Sequence, residues 1–304
     1  ATVKLGMGTI PADGAEYFLN LSYTLKEKDG ILPAGHEAAH QQLEVQKATA
    51  PIFVEKAKKV NTILPEVNDD DVNYLIIKGI NFQIDFNKHN GFLCNYEVGG
   101  LQMLAEDAEL TPNFWRAPTD NDFGANLQRK YAVWKNPTFK LESLKNEQKD
   151  NATVISAEYT MPQVAAKLAM TYVISNDGAI KVTEKMTVDQ AKAKAYRESN
   201  PYGYEKRDAP VVEGEVRTEE SDMFRFGMQL PMAKCFENLE YYGRGPVETY
   251  NDRKDSEHIG IYNSTVTDEF YNYIRPQETG NHVDLRWYKI MNAGGHGLTV
   301  VAEK

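Results

Sequence analysis

The sequence predicts an all-β protein made of antiparallel sheets. Three observations carry that prediction. Apolar and polar residues alternate with period two in run after run, the pattern of strands with one buried face. Clusters of Asn, Asp and Gly separate the runs, and these residues accept the positive φ that tight hairpins require. No strand–helix–strand rhythm is present, which argues against a complete Rossmann domain or TIM barrel.

The first alternating run is Tyr17, Leu19, Leu21, Tyr23 and Leu25, with Asn20, Ser22 and Thr24 between. Ile80, Phe82, Ile84 and Phe86 form the next, followed by Phe92, Cys94, Tyr96 and Val98. Leu168, Met170, Tyr172 and Ile174 precede Ile180, Val182, Met186 and Val188, and Phe224, Phe226, Met228 and Leu230 give one more. Lys28-Asp29-Gly30, His89-Asn90-Gly91 and Asn176-Asp177-Gly178 are the hairpin turns, so neighbouring strands pair antiparallel. A strand over Leu239–Tyr242 is expected to end in a tight turn at Gly243-Arg244-Gly245-Pro246. One short helix is expected near Leu127, Tyr131 and Trp134, spaced i, i+4, i+7. The acidic run Asn68-Asp69-Asp70-Asp71 reads as a linker, and a domain boundary is placed there. Residues 1–67 then hold about three or four strands, few for an independent sandwich. The charged stretch from Asp189 to Asp222 reads as a long surface excursion.

Composition narrows the function classes. The 304 residues carry 34 basic and 44 acidic side chains, a net charge of −10, which argues against nucleic acid or an anionic membrane as partner. No run of ~18 apolar residues is present to span a bilayer as a helix. Cys94 and Cys235 each lie in an apolar stretch and read as buried thiols. Two cysteines make neither a disulfide scaffold nor a four-Cys zinc site. The chain starts Ala1-Thr2-Val3 with no initiator Met and no signal-peptide pattern, and reads as a processed chain or an excised fragment.

The residues by themselves carry little catalytic signal. Asp120-Asn121-Asp122-Phe123-Gly124 resembles the start of a calcium loop, but Gly124 and Tyr131 stand where an EF-hand needs an acid or Asn and a Glu. An Asx-rich turn is the plainer reading. Of the six histidines only His36 and His40 are four apart; Glu37 between them completes a His-Glu-x-x-His spacing, but no helix is read there, and solvated or core histidines are the plainer reading. No nucleophile elbow is present, and the sequons at Asn20, Asn151 and Asn263 carry no meaning without a secretory context. The aromatics are more suggestive. Trp115, Tyr242, Tyr250, Tyr273, Trp287 and Tyr288 lie within two residues of Arg, Asn, Asp or Glu, and a flat ring near planar hydrogen-bonding groups suits a sugar. The competing reading is the core of a β-protein.

Several segments together resemble a known family. Asn113-Phe114-Trp115-Arg116-Ala117-Pro118-Thr119-Asp120-Asn121-Asp122-Phe123-Gly124 is similar to the "NFWRAPTDND.G" signature in the C-terminal domain of the large, LacZ-like β-galactosidases of glycoside hydrolase family 2. The segment from Tyr241 to Arg253 resembles that domain's "GxGPxExYxDR" segment. Arg275-Pro276-Gln277-Glu278-Thr279-Gly280-Asn281, with Val283-Asp284-Leu285-Arg286-Trp287, resembles its "PQExGN…VRW" segment. Phe224-Arg225-Phe226-Gly227-Met228 fits the strand that enters this region, and the order of the motifs is the family's. Pro33-Ala34-Gly35-His36-Glu37 and Gln41-Gln42 resemble the latter part of the preceding immunoglobulin-like domain.

The resemblance implies a partial immunoglobulin-like β-sandwich unit over residues 1–67, followed over 68–304 by a large antiparallel supersandwich similar to galactose mutarotase. It implies retaining hydrolysis of terminal β-D-galactosides, lactose among them, by two Glu residues of a TIM barrel N-terminal to these domains. No catalytic residue is therefore expected in this chain, which should be inactive alone. In the family the last domain continues beyond a point equivalent to Val300–Lys304 and supplies a substrate-stacking Trp, to which none of this chain's three Trp residues corresponds. The loop after "DND.G" closes over the galactose site, which places it at Gly124, Ala125, Asn126 and Leu127, supported by Arg116, Asp120, Asn121 and Asp122. Trp115, Tyr242, Arg244, Glu248, Glu278, His282 and Trp287 are candidate carbohydrate contacts. No metal ligand or cofactor is expected here, since the family's Mg²⁺ and Na⁺ find their main catalytic-site ligands on the barrel. The implied partners are a β-galactoside or galactose, the remaining domains of the same enzyme, and further copies in a homo-oligomer, with neither nucleic acid nor membrane. The compartment of such a bacterial-type enzyme, cytoplasm or periplasm, stays open. Two rivals remain: a stand-alone carbohydrate-binding module, and an aldose epimerase with His282 and Glu278 as acid and base.

Overall fold

Alternation decides which residues form strands, and the turn residues decide how those strands pair. A computed structural model describes residues 6, 8–52, 63–192 and 223–303. The described residues fall into two compact units. One draws on Ala1–Lys58, Cys235–Asn272 and Thr279–Lys304, the other on Lys59–Lys234 and Tyr273–Glu278. The fold is all-β and antiparallel, as expected.

In the first unit, β1 (Tyr17–Thr24) and β2 (Glu37–Gln46) form a two-stranded sheet with Leu19 opposite Leu43 and Leu21 opposite Gln41. Lys28-Asp29-Gly30 is not a simple hairpin turn, because Asp29 and Leu32 close a smaller bridge within a longer connection.

The larger unit holds two main sheets. β3 (Glu66–Asn68), β4 (Tyr74–Lys78), β5 (Phe82–Asn87), β6 (Leu93–Val98) and β7 (Leu101–Gln102) lie in chain order. β8 (Thr111–Asn113) pairs outside these sheets. β9 (Lys140–Lys149), β10 (Ala152–Met161), β11 (Ala166–Ser175) and β12 (Ile180–Val188) form the second sheet. His89-Asn90-Gly91 joins β5 to β6 and Asn176-Asp177-Gly178 joins β11 to β12, as their turn chemistry predicts. One face of each sheet builds the core. Ile84 and Phe86 on β5, Ile155 and Tyr159 on β10, and Leu168, Met170 and Tyr172 on β11 are all at most 1% exposed. Phe86 meets Tyr172 edge to face at 4.9 Å and Phe92 stacks on Tyr159 at 5.4 Å. Each such side chain contributes about 1.5–3 kcal/mol by burial, and aromatic pairs about 1 kcal/mol more.

β14 (Asn238–Gly245), β15 (His258–Thr265), β16 (Trp287–Met291) and β17 (Gly297–Val301) return to the first unit and form a sheet in the order β15-β14-β16-β17. The β1–β2 hairpin is tied to this sheet by polar contacts. Gln42 donates to the Ile259 carbonyl at 2.9 Å and accepts from its amide at 2.7 Å. Arg286 grips Glu16 with two bonds of 2.9 Å, and the two side chains are only 10% and 5% exposed.

Several expectations need correction. The run Phe224–Leu230 is a strand only over β13 (Gly227–Gln229), paired with β8. Gly243-Arg244-Gly245 is not a turn but the continuation of β14, paired with Gly260, Ile259 and His258. A Cβ at Gly243 would lie 2.6 Å from Leu285 Cδ2, and one at Gly245 2.4 Å from the Tyr241 hydroxyl, so these glycines serve close packing. Asn68–Asp71 is not a linker but a hairpin connection, in which Asn68 Oδ1 accepts from Asp70 N and Asp71 Oδ1 from the amides of Asn73 and Tyr74. Cys235 is exposed and Cys94 only partly buried. Most of the Asp189–Asp222 excursion, residues 193–222, lies outside the described residues.

Removing one partner of the Arg286–Glu16 pair leaves an uncompensated, nearly buried charge. Arg286→Met should lower unfolding free energy by about 3–5 kcal/mol in urea titrations, and the double variant with Glu16→Gln should recover part of that loss. In the larger unit, Glu184 sits opposite Met170 on the inward side of β12, and burial pushes its carboxyl up to about 7 from an ordinary 4.5. Between those two values the folded state binds more protons than the unfolded one, so stability falls as pH rises through this window. Glu184→Gln should melt higher than the parent at pH 8 and lose that advantage at pH 4.

Candidate functional site

The Asn113–Leu127 segment owes its shape to alternating anchors in the larger unit. Phe114 is 1% exposed and meets the buried Trp134 edge to face at 5.5 Å. Asn113 Oδ1 accepts from Trp115 N at 3.1 Å and bends the chain there. Thr119 then caps helix α1 (Asp120–Gly124). Its Oγ1 accepts from Asp122 N, and Asp122 Oδ2 accepts from Thr119 N at 2.8 Å, a capping box. The expected Asx turn is therefore a capped helical turn. Asn126 takes a left-handed φ of 61° and separates α1 from α2 (Leu127–Lys130), and the helix expected near Leu127, Tyr131 and Trp134 is α2 followed by a 3-10 turn over Ala132–Trp134.

Charge is stacked beneath α1. Both oxygens of Asp122, 4% exposed, accept from one Arg116 nitrogen, at 3.0 and 2.9 Å. Arg116 Nη1 lies 3.7 Å from Glu278 Oε2, and Glu278 Oε1 accepts from Arg225. Burial lifts the Glu278 carboxyl above its ordinary range, although the two guanidiniums pull it the other way. The Tyr273–Glu278 stretch also reaches the start of α1. Gln277 Oε1 accepts from Asp120 N at 2.8 Å, Arg275 lies 3.5 Å from Asp120 Oδ1, and the Arg275 guanidinium sits 4.0 Å from the Phe123 ring centre. Phe224 is the aromatic hub, edge to face with Trp115 at 4.8 Å and Tyr131 at 5.2 Å, and 5.3 Å from the Arg116 guanidinium carbon. Asp122 is committed to Arg116 and to its helix cap, so this donor set does not fit a cation, and no cluster of three metal-ligating residues occurs among the described residues.

The other candidates lie in the first unit. Tyr242 on β14 pairs with Trp287 on β16, their ring centres 6.2 Å apart, and Trp287 is 8% exposed. Arg244 bonds Asp284 at 2.6 Å and the carbonyls of Lys254 and Glu257. Glu248 accepts from Gly280 N at 3.1 Å. His282 has both ring nitrogens engaged, with the Arg244 carbonyl at 2.9 Å and Glu269 at 2.8 Å. Of the nominated acid–base pair, His282 bonds Glu269 within the first unit, and Glu278 accepts from Arg225 and lies 3.7 Å from Arg116 within the larger one.

Sequence reasoning missed Thr119, Arg225, Arg275, Gln277 and Phe224 as parts of the α1 cluster. The Thr119–Asp122 spacing is a readable capping-box signal. Nothing local pairs Arg225 with Glu278, 53 residues away.

Comparison with known proteins places these motifs. The family model described as β-galactosidase small chain matches residues 78–303, and that for β-galactosidase domain 4 matches residues 1–46. A β-galactosidase of Priestia megaterium is 29% identical over 94% of this chain and 24% of its own length. One from Lactobacillus delbrueckii subsp. bulgaricus is 31% identical over 98% of this chain and 27% of its own, and one from Kluyveromyces lactis is 26% identical over 96% and 26%. The chain thus spans about a quarter of the length of these curated relatives.

Loss of the cap should be felt at α1. Thr119→Ala should cost about 1 kcal/mol, and Asp122→Ala, which removes the hydrogen-bonded counter-charge of Arg116 along with the cap, about 3 kcal/mol. Equilibrium unfolding of both variants checks the order.

Proposed function

This chain belongs to the β-galactosidase small-chain family, and we propose from that footing that it is the C-terminal, non-catalytic region of a retaining β-galactosidase. The whole protein cleaves terminal β-D-galactosides of the lactose type. A retaining mechanism uses two carboxyl groups about 5 Å apart, one as nucleophile and one as acid and base. In this reading both belong to a barrel elsewhere in the full-length protein, as do the main ligands for Mg²⁺ and Na⁺. This region supplies a wall of the sugar site and the Gly124–Leu127 loop, and it works with the other domains of its own polypeptide and with further copies in a homo-oligomer.

The observation that supports this reading best is the anchoring of α1. A short helix capped by Thr119, braced by Arg116 and Asp122 and met by Arg275 and Gln277, gives the loop that follows a fixed base. Positioning of that kind lowers a barrier by pre-paying orientation. It does not make or break a glycosidic bond, which fits a supporting part. Fold alone would not carry the assignment.

A chromogenic β-galactoside tests it. The full-length protein should turn the substrate over, and this chain, purified at high concentration, should show no rate above the uncatalysed one. Turnover by the chain alone would overturn the non-catalytic reading. Calorimetric titration with galactose or lactose at millimolar concentration should give no heat with the isolated chain, and measurable heat would favour a stand-alone binding module.

A further inference from the structure

Four charged side chains alternate in sign beneath α1: Asp122, Arg116, Glu278 and Arg225. Their places in the chain differ widely. Asp122 and Arg116 flank the start of α1, Arg225 precedes β13, and Glu278 closes the Tyr273–Glu278 stretch. Glu278 is the only member that touches both arginines, and its side chain is 13% exposed against 20% for Arg116 and 36% for Arg225. Glu278 accepts a hydrogen bond from Arg225 and holds Arg116 by charge at 3.7 Å; a carboxylate between two guanidiniums restricts both, because each gives up opposite-charge contact when it turns away. Arg116 in turn holds the carboxylate that caps α1.

We propose that Glu278 is a positioning residue for the Gly124–Leu127 loop: by bridging Arg116 and Arg225 it fixes α1, from whose C-terminal end the loop departs. This inference rests on the reading above that the loop borders the sugar site, and it replaces the expectation that Glu278 contacts the sugar. The carboxylate faces two arginines of its own unit, so its role is to hold the base on which the loop moves. Without it, Arg116 keeps Asp122 but loses its second support.

Hydrogen exchange on this chain, without any sugar, reads the anchor directly. In Glu278→Gln, amides of residues 119–126 should exchange about tenfold faster than in the parent, while the core amides of β10 and β11 keep their rates. Arg225→Gln, at a more exposed position, should give the same local change and serves where the Glu278 variant does not fold. Glu278→Asp, which keeps the charge, should restore much of the protection. Parental rates at 119–126 in both neutral variants, or faster exchange everywhere including the core, would overturn the proposal. In the full-length protein, Glu278→Gln should raise KM for the galactoside about tenfold and leave kcat within about twofold. An unchanged KM, or a fall in kcat alone, would count against it. If the full-length parent hydrolyses no galactoside, the functional reading fails while the exchange result still decides the anchor.

Discussion

The larger unit depends on one constraint, the burial of two sheet faces against each other. Every second residue of β5, β10 and β11 points into the same interior, and these side chains are at most 5% exposed. A shift of register by one residue would turn Ile155, Tyr159 and Tyr172 outward. Register is further held by the turns at Asn90-Gly91 and Asp177-Gly178, where positive φ falls on glycine. Phe114 and Trp134 extend the same core beneath α1, so the charged cluster stands on a packed aromatic floor.

On that floor the electrostatics are local and nearly neutral. Two carboxylates and two guanidiniums alternate, and the most buried of them, Asp122, has the most bonds. Desolvation penalises each charge, and only close opposite partners offset it. The cluster therefore favours one arrangement over many, which is what a fixed base for a loop needs. The same arrangement leaves little free donor or acceptor capacity for an ion.

The first unit uses polar contacts differently. Buried Thr249 gives its amide to the Asn281 carbonyl at 2.6 Å, accepts from Asn281 Nδ2 at 2.6 Å and receives Val283 N on its hydroxyl at 3.0 Å. Arg244, Glu248 and His282 are engaged in the same region by backbone groups and by Asp284 and Glu269. Residues whose types suit a sugar thus spend these polar atoms on tying loops to β14. Tyr242 and Trp287, named for their rings, are cross-strand partners within the sheet.

The sequence by itself determined the strands and most of their turns, because period-two burial and positive-φ residues are local signals. It also determined the family, since ordered motifs survive where individual contacts cannot be read. Tertiary structure decided what depends on neighbours remote in the chain. β14 runs through Gly243 and Gly245 because Leu285 and Tyr241 lie too close for a side chain. Cys235 is exposed although Met232, Ala233 and Phe236 lie close to it in the sequence. Glu278 faces Arg116 and Arg225, and His282 faces Glu269, because the fold places them together. Ion pairs of this kind have no sequence period, as only the path of the backbone brings such charges within reach.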